Sequence, residues 1–171
     1  MKRLAVFTFA LMALAAAFVL AWADDHKQTD AASGQKPDHI MMTEPELKWA
    51  DAPPSLPPGA KLAVLEGDPA QPGPFTMRVK VPANYKVPPH WHPADEHVTV
   101  ISGSFFMGLG DKFDKKVMKE LTPGGFAVMV TGTRHFAMTK KESVVQVHGI
   151  GPWGINYVNP ADDPRQAKAS K

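Results

Sequence analysis

Four side chains of the kinds that bind transition metals stand at spacings that could bring them together. One short segment contains His90, His92 and Glu96, and His135 follows much later in the chain. Neutral imidazoles and a carboxylate are ligands that divalent transition metals prefer. If the segment is extended, strand alternation places its even-numbered side chains on one face of a sheet. The spacing therefore predicts that one strand supplies three ligands and that His135 supplies a fourth from a distant strand.

The elements that must position these residues are predicted to be short strands. From Ala60 onward, apolar and polar residues alternate over residues 74–81, and β-branched residues are frequent in Glu96–Ser102. The remaining candidate strands, separated by glycine and proline turns, are Lys61–Glu66 and residues 104–109, 126–130, 134–139 and 144–148. Helical periodicity fits only residues 112–121, which form either a short helix or a loop. We therefore predict an all-β sandwich or barrel.

The first 23 residues have the pattern of a secretory signal peptide. Lys2 and Arg3 precede an apolar run over residues 4–20, and Ala21-Trp22-Ala23 has the small-x-small form of a cleavage site. An uncleaved membrane anchor is the alternative, although the run is at the short limit for spanning a bilayer. We expect cleavage after Ala23, a periplasmic or secreted protein, and no membrane attachment afterwards.

The rest of the chain is predicted to form one domain at residues 47–158. Residues 24–46 read as a flexible lead-in, and residues 159–171 read as a polar tail. Without Lys2 and Arg3, basic and acidic residues are equal in number, so nothing in the charge indicates a nucleic-acid partner. The chain has no cysteine. Thiolate ligands, thiol nucleophiles and disulfides are therefore excluded.

Around the candidate ligands, the sequence resembles the first motif of the cupin superfamily, G-x5-H-x-H-x3-4-E-x6-G. The match begins at the first histidine, His90, and continues through His92 and Glu96 to the closing Gly103. The leading glycine of the motif is replaced by Asn84. Asparagine tolerates unusual backbone conformations better than most residues, so this departure is mild.

The second cupin motif, G-x5-P-x-G-x2-H-x3-N, is matched in part. Gly124, Gly132 and His135 stand at the expected offsets, while Val130 and Thr139 replace the proline and the asparagine. The closer likeness is to exported single-domain cupins of undefined activity, through residues 110–114 and 145–154. The metal-binding cupin of certain anti-sigma factors is a looser relative.

The resemblance implies a small antiparallel jelly-roll barrel with one divalent metal held by His90, His92, Glu96 and His135. Iron, manganese, nickel, copper and zinc all suit this ligand set. It also implies a metal-dependent enzyme acting on a small molecule, with dioxygenase-, isomerase- or decarboxylase-like chemistry. The alternative is a noncatalytic module that binds or senses a metal or a ligand. Barrels of this family commonly pair, so we expect a homodimer.

Two further side chains are candidates for catalysis on residues 144–148. Gln146 and His148 share one face of this candidate strand, opposite Val145 and Val147. If that face lines the barrel, His148 would serve as a general base or would support the metal. A histidine bonded to backbone at a strand end is an equally good reading. Glu96 is the ligand that we expect to move a proton, and His97 should face away from it.

Overall fold

The computed structural model describes residues 39–166. The predictions for the signal peptide, for residues 24–38 of the lead-in and for the last five residues of the tail lie outside the described residues. Between His39 and Gln166, no helix combines the length and the apolar character needed to cross a membrane.

The described chain is built almost entirely from β-strands. Their bounds are β1 Ala50–Asp51, β2 Lys61–Glu66, β3 Gly73–Val81, β4 Lys86–Trp91, β5 Glu96–Ser102, β6 Phe105–Leu109, β7 Lys119–Leu121, β8 Phe126–Met129, β9 His135–Thr139, β10 Ser143–Gly151 and β11 Asn156–Tyr157. The helical elements described are short 3-10 turns at Glu44–Glu46, Lys115–Val117 and Pro160–Asp162.

The strands form two antiparallel sheets. A six-stranded sheet has the order β1-β2-β3-β10-β5-β8, and a five-stranded sheet has the order β11-β4-β9-β6-β7. Neighbours in these sheets are often far apart in sequence, as in the pairing of β3 with β10. This arrangement confirms the predicted all-β class and the antiparallel jelly-roll barrel.

The core lies between the inner faces of the two sheets. Strand β3 alternates as the sequence predicts, with Phe75, Met77, Val79 and Val81 buried. From the other sheet, buried side chains such as Met107 join the same apolar cluster. Burial of these side chains, at about 25 cal/mol per Å² of apolar surface, is the main term that holds the sheets together.

The prediction that one strand carries His90, His92 and Glu96 is wrong. Strand β4 ends at Trp91, β5 begins at Glu96, and the two strands belong to different sheets. Pro93 cannot donate a ladder hydrogen bond, so the chain leaves one sheet and crosses to the other. Thr131 supports the crossing, because its backbone N and its Oγ1 donate to Asp95 Oδ1 at 2.7 and 2.8 Å.

Residues 112–121 are not one helix. They contain the 3-10 turn Lys115–Val117, whose N-cap Asp114 accepts a hydrogen bond from the backbone of Lys116 at 2.9 Å, and then the edge strand β7. The two-residue strands β1 and β11 were not predicted, since so short a segment has no periodicity to read. After Asn159, the Arg165 guanidinium pairs with Asp163 and donates to the Ile155 carbonyl.

Candidate metal centre

Three buried histidines converge at one end of the paired strands β4 and β9. His90 and His135 are direct cross-strand partners, with ring centroids 4.1 Å apart. His92 follows the end of β4, and its ring centroid lies 5.0 Å from that of His90 and 5.1 Å from that of His135. One nitrogen of each ring lies within 4.8 Å of the other two, so this buried triad could hold a metal ion.

Backbone carbonyls hold all three rings in a metal-binding tautomer. Ring Nδ1 lies at hydrogen-bond distance from a carbonyl oxygen, at 2.7 Å in His90, 2.7 Å in His92 and 3.0 Å in His135. These oxygens belong to Pro88, Gly154 and Thr133. With the proton on Nδ1, the lone pair of a neutral ring is on Nε2 and is free to bind a metal. The hydrogen bond from Nδ1 to the carbonyl also fixes the ring orientation.

Glu96 faces the triad from the opposite sheet. Its Oε2 lies 3.3 Å from His135 Nε2, and its Oε1 lies 3.5 Å from His92 Nε2. Burial by itself would raise the pKa of Glu96, whereas a proton on the facing nitrogen of His135 or His92 lowers it. The buried carboxylate is therefore ionised when a positive charge, carried by a proton or a metal ion, lies between it and the imidazole nitrogens.

Burial also keeps His90 neutral. It lowers the pKa of His90 to about 3, and the neighbouring His135 and His92 add to this effect. Bringing a charged imidazolium out of water is costly, so the neutral form is favoured. Neutral imidazole is the form that coordinates metal ions.

The donor set fits a divalent transition metal. His92 Nε2 is buried and has no hydrogen-bond partner within residues 39–166. An unprotonated Nε2 and a carboxylate oxygen are both acceptors, so a proton or a cation is needed to join them at these separations. Three imidazole nitrogens and one carboxylate would supply a cation with four ligands.

A cavity of about 320 Å³ borders the candidate ligands. Its wall includes all four of them, together with side chains from both sheets and from the loops after β1 and β2. Among the wall residues, Pro53, Asp68 and Ala70 are exposed, which places the mouth at these loops. A small molecule in this cavity would therefore meet the histidines and Glu96 directly.

The predicted orientation of Gln146 and His148 is wrong. Val145 and Val147 line the cavity, whereas the alternate residues of β10 lie on the outer face of the six-stranded sheet. The apolar side chains took the inner face because burial favours them over an amide and an imidazole. Alternation then places Gln146 and His148 outside.

Both outward residues have partners on neighbouring strands. Arg78 Nε donates to Gln146 Oε1 at 3.3 Å. His148 stacks on its cross-strand partner His97, with ring centroids 4.9 Å apart. His97 therefore faces away from the site, as predicted, and neither Gln146 nor His148 borders the cavity.

Sequence reasoning missed the contribution of Trp153 and Gly154. The indole of Trp153 stacks on the ring of His92, with centroids 4.3 Å apart and planes 22° apart, while the Gly154 carbonyl accepts from His92 Nδ1. In the sequence this glycine-rich run indicates only a turn. The one signal was the aromatic residue within that turn.

The departures from the cupin motifs keep their structural roles. Asn84 adopts a positive φ of 60°, as expected of a residue that replaces glycine. Thr139 is fully buried, and its Oγ1 donates to the Pro82 carbonyl and accepts from the backbone N of Tyr85. Thr139 thus fastens the turn that leads into β4 and its histidines.

No protein-family model matches the sequence, and a search of curated proteins finds no match. Solved structures do match. The polyketide cyclase RemF from Streptomyces resistomycificus has a TM-score of 0.63 at 18% identity, over 77% of this chain and 93% of that chain. A putative acetylacetone dioxygenase from Methylibium petroleiphilum has a TM-score of 0.57 at 16% identity, over 80% and 98%.

A third similar structure is named for its fold. It is an RmlC-like cupin from Shewanella frigidimarina, with a TM-score of 0.53 at 15% identity, over 67% of this chain and 91% of that chain. Identities this low establish the fold alone. The strand order, the two motifs and these similarities agree, and the described chain has the jelly-roll fold of the RmlC-like cupins.

Proposed function

We propose that the protein is an exported, metal-dependent enzyme that acts on a small molecule. The observation that carries the proposal is the position of the histidine triad and Glu96 in the wall of an open cavity. A structural metal site would instead be closed off from any ligand. The reactions that we propose are dioxygenase-, isomerase- or decarboxylase-like.

The roles of the residues follow from their positions. His90, His92, His135 and Glu96 would hold the ion, which when bound supplies Lewis acidity or redox chemistry. We assign proton movement to Glu96, because its carboxylate borders the cavity and lies beside the imidazole nitrogens. The apolar wall limits water around the reacting group, which strengthens electrostatic interactions there.

The compartment bears on the metal. If the signal peptide directs export of the unfolded chain, the site fills outside the cytoplasm. Under free competition, the affinity order of divalent ions then favours copper and zinc. Protein purified from the periplasm is therefore the proper sample for identifying the metal.

The test is elemental analysis of periplasmic protein and of His92→Ala. We expect one equivalent of a transition metal in the native protein and a much lower metal content in the variant. The content should fall because loss of a ligand lowers metal affinity at least tenfold, since even residues that orient a ligand contribute about 10- to 100-fold. His97→Ala is the matched control, because His97 lies on the outer face. No stoichiometric metal, or equal losses in both variants, would refute the proposal.

One observation favours a noncatalytic binding module instead. Apart from the candidate ligands, Tyr85 and Asp68 are the titratable residues that the described cavity wall contains. Tyr85 already donates to the Pro57 carbonyl, and burial raises its pKa above the usual value. A dioxygen-uptake and turnover screen of the metal-loaded protein separates the two functions, since a sensor binds without turnover.

A further inference from the structure

The cavity wall has an uneven distribution of polar groups. Apolar side chains make up most of it, and those with the greatest burial include Met77, Val81, Val98, Val145 and Val147. The four candidate ligands are clustered, and Trp153, whose buried Nε1 has no partner in the described chain, stacks on His92. The inner polar surface is therefore concentrated in one patch. Ser55 and Asp68 belong to the loops near the mouth.

The charges of the wall have one sign. Its charged residues are Glu96 and Asp68, and no lysine or arginine of the described chain lines the cavity. An anionic group held against this wall, away from the ligand patch, would lose its hydration without gaining a partner. A body rich in hydroxyl groups would face the same cost, since valine and methionine side chains offer no hydrogen bonds in return.

We propose that the substrate has one polar head, which reaches the histidine and Glu96 patch, and an uncharged hydrocarbon body that fills the apolar part of the cavity. The role of the head rests on the proposed function, whereas the fit of the body depends on the cavity alone. A volume of about 320 Å³ is near the lower end of the range for ligand pockets, about 300–1,000 Å³. Sugars, nucleotides and phosphorylated metabolites do not fit this description.

The body is tested first, on full-length protein freed of metal by a chelator. Propylbenzene and 3-phenylpropanoate have similar shapes, and only the second carries a charge. We expect calorimetric titration to give at least about tenfold tighter binding of propylbenzene. Without a metal, a carboxylate head at the patch meets the Glu96 carboxylate and histidine acceptors, and elsewhere in the cavity it is buried without a partner. Comparable or tighter binding of 3-phenylpropanoate, or no binding of propylbenzene, overturns the proposal.

Two variants on one strand locate the binding. Val147→Phe fills the cavity from β10, and Val144→Phe adds the same ring to the opposite face of that strand. We expect the first to weaken propylbenzene binding at least about tenfold and the second to leave it unchanged. If Val147→Phe does not fold, Val147→Ile replaces it. This variant adds a single methylene, and we expect a smaller loss of affinity for propylbenzene. Equal losses on both faces overturn the proposal.

The head is tested on the metal-loaded protein. Benzohydroxamic and acetohydroxamic acids share a metal-binding head and differ in the apolar body, so we expect the first to bind at least about tenfold tighter. Equal affinities overturn the proposal. If propylbenzene binds as expected but the protein takes up no metal, the proposed function fails while the assignment of the apolar body stands.

Discussion

At the scale of single residues, the site depends on imidazole rings whose orientations are fixed. The Nδ1 bonds to Pro88, Gly154 and Thr133 hold the three rings, and burial lowers the pKa of His90 and favours its neutral form. The same bonds leave the Nε2 atoms of His92 and His135 facing Glu96. The histidines are thus arranged for a cation before one binds, which reduces the cost of ordering them.

The metal-free protein should become less stable on acidification because of His90. Its pKa is 6.5 in a model peptide and falls to about 3 in the folded state. Between these values the unfolded chain binds a proton at His90 that the folded chain does not. The contribution of neutral His90 to the free energy of unfolding is therefore complete above pH 6.5 and is lost as the pH falls toward 3. Urea denaturation between pH 7 and pH 4 measures this loss of stability.

The control for this prediction is His90→Gln, which removes the titrating ring. Other groups also change with pH, so the informative quantity is the difference between the two pH profiles. We expect the native protein to lose more stability than the variant over this range. Parallel profiles would contradict the assignment of a depressed pKa to His90.

At the scale of elements, the site is assembled where the chain changes sheets. The crossing from β4 to β5 brings Glu96 toward histidines on the facing sheet, and the pairing of β4 with β9 brings His135 beside His90. The turns that set these strands use positive φ angles, at Asn84 before β4 and at Gly103 after β5. Strand ends and turns, rather than strand faces alone, position the ligands.

Gly103→Ala should be more destabilising than Gly124→Ala. Both glycines have nearly the same positive φ, 84° and 85°, so both substitutions carry the same backbone strain of about 1 kcal/mol. A Cβ at Gly103 would also collide with buried Ser143 and with the Glu142 carbonyl, whereas one at Gly124 would meet open space. We expect an additional cost of about 2 kcal/mol at Gly103, measured by chemical denaturation. Equal costs would contradict this expectation and would show that the backbone at Glu142 and Ser143 can shift.

At the scale of the whole molecule, the two sheets enclose a cavity instead of a fully filled core. The valines and methionines of the inner faces stabilise the barrel and also form the wall that a ligand would touch. Substitutions there change stability and binding together. For this reason the Val147 and Val144 variants are compared on one strand, with folding measured for each.

Export is predicted for the whole chain from its first 23 residues. We expect protein recovered from the periplasm to begin at Asp24, because cleavage follows the small residues Ala21 and Ala23. Amino-terminal sequencing measures this directly. Ala23→Arg should block processing and leave a longer, membrane-associated form. A mature protein that retains Lys2 and Arg3 would contradict the prediction.

The sequence by itself determined the fold class and the identity of the candidate ligands. Three local patterns in the sequence were sufficient: the alternation in β3, the glycines at turns, and the spacing of the candidate ligands. They can be recognised because short-range sterics and burial determine them. Asn84 was also identifiable as a mild departure from the first motif, because asparagine tolerates unusual backbone conformations.

The tertiary structure decided how the candidate ligands are divided between the two sheets and which face of β10 lines the cavity. Strand alternation places Gln146 and His148 on one face of β10 and the valines on the other, but it does not say which face is buried. That depends on the apolar side chains of the neighbouring strands β3 and β5. Parity also fails across Pro93, where the chain changes sheets. Trp153 follows β10 in the sequence and contacts His92, which lies far away along the chain. Such long-range contacts are determined by the packing of the whole barrel.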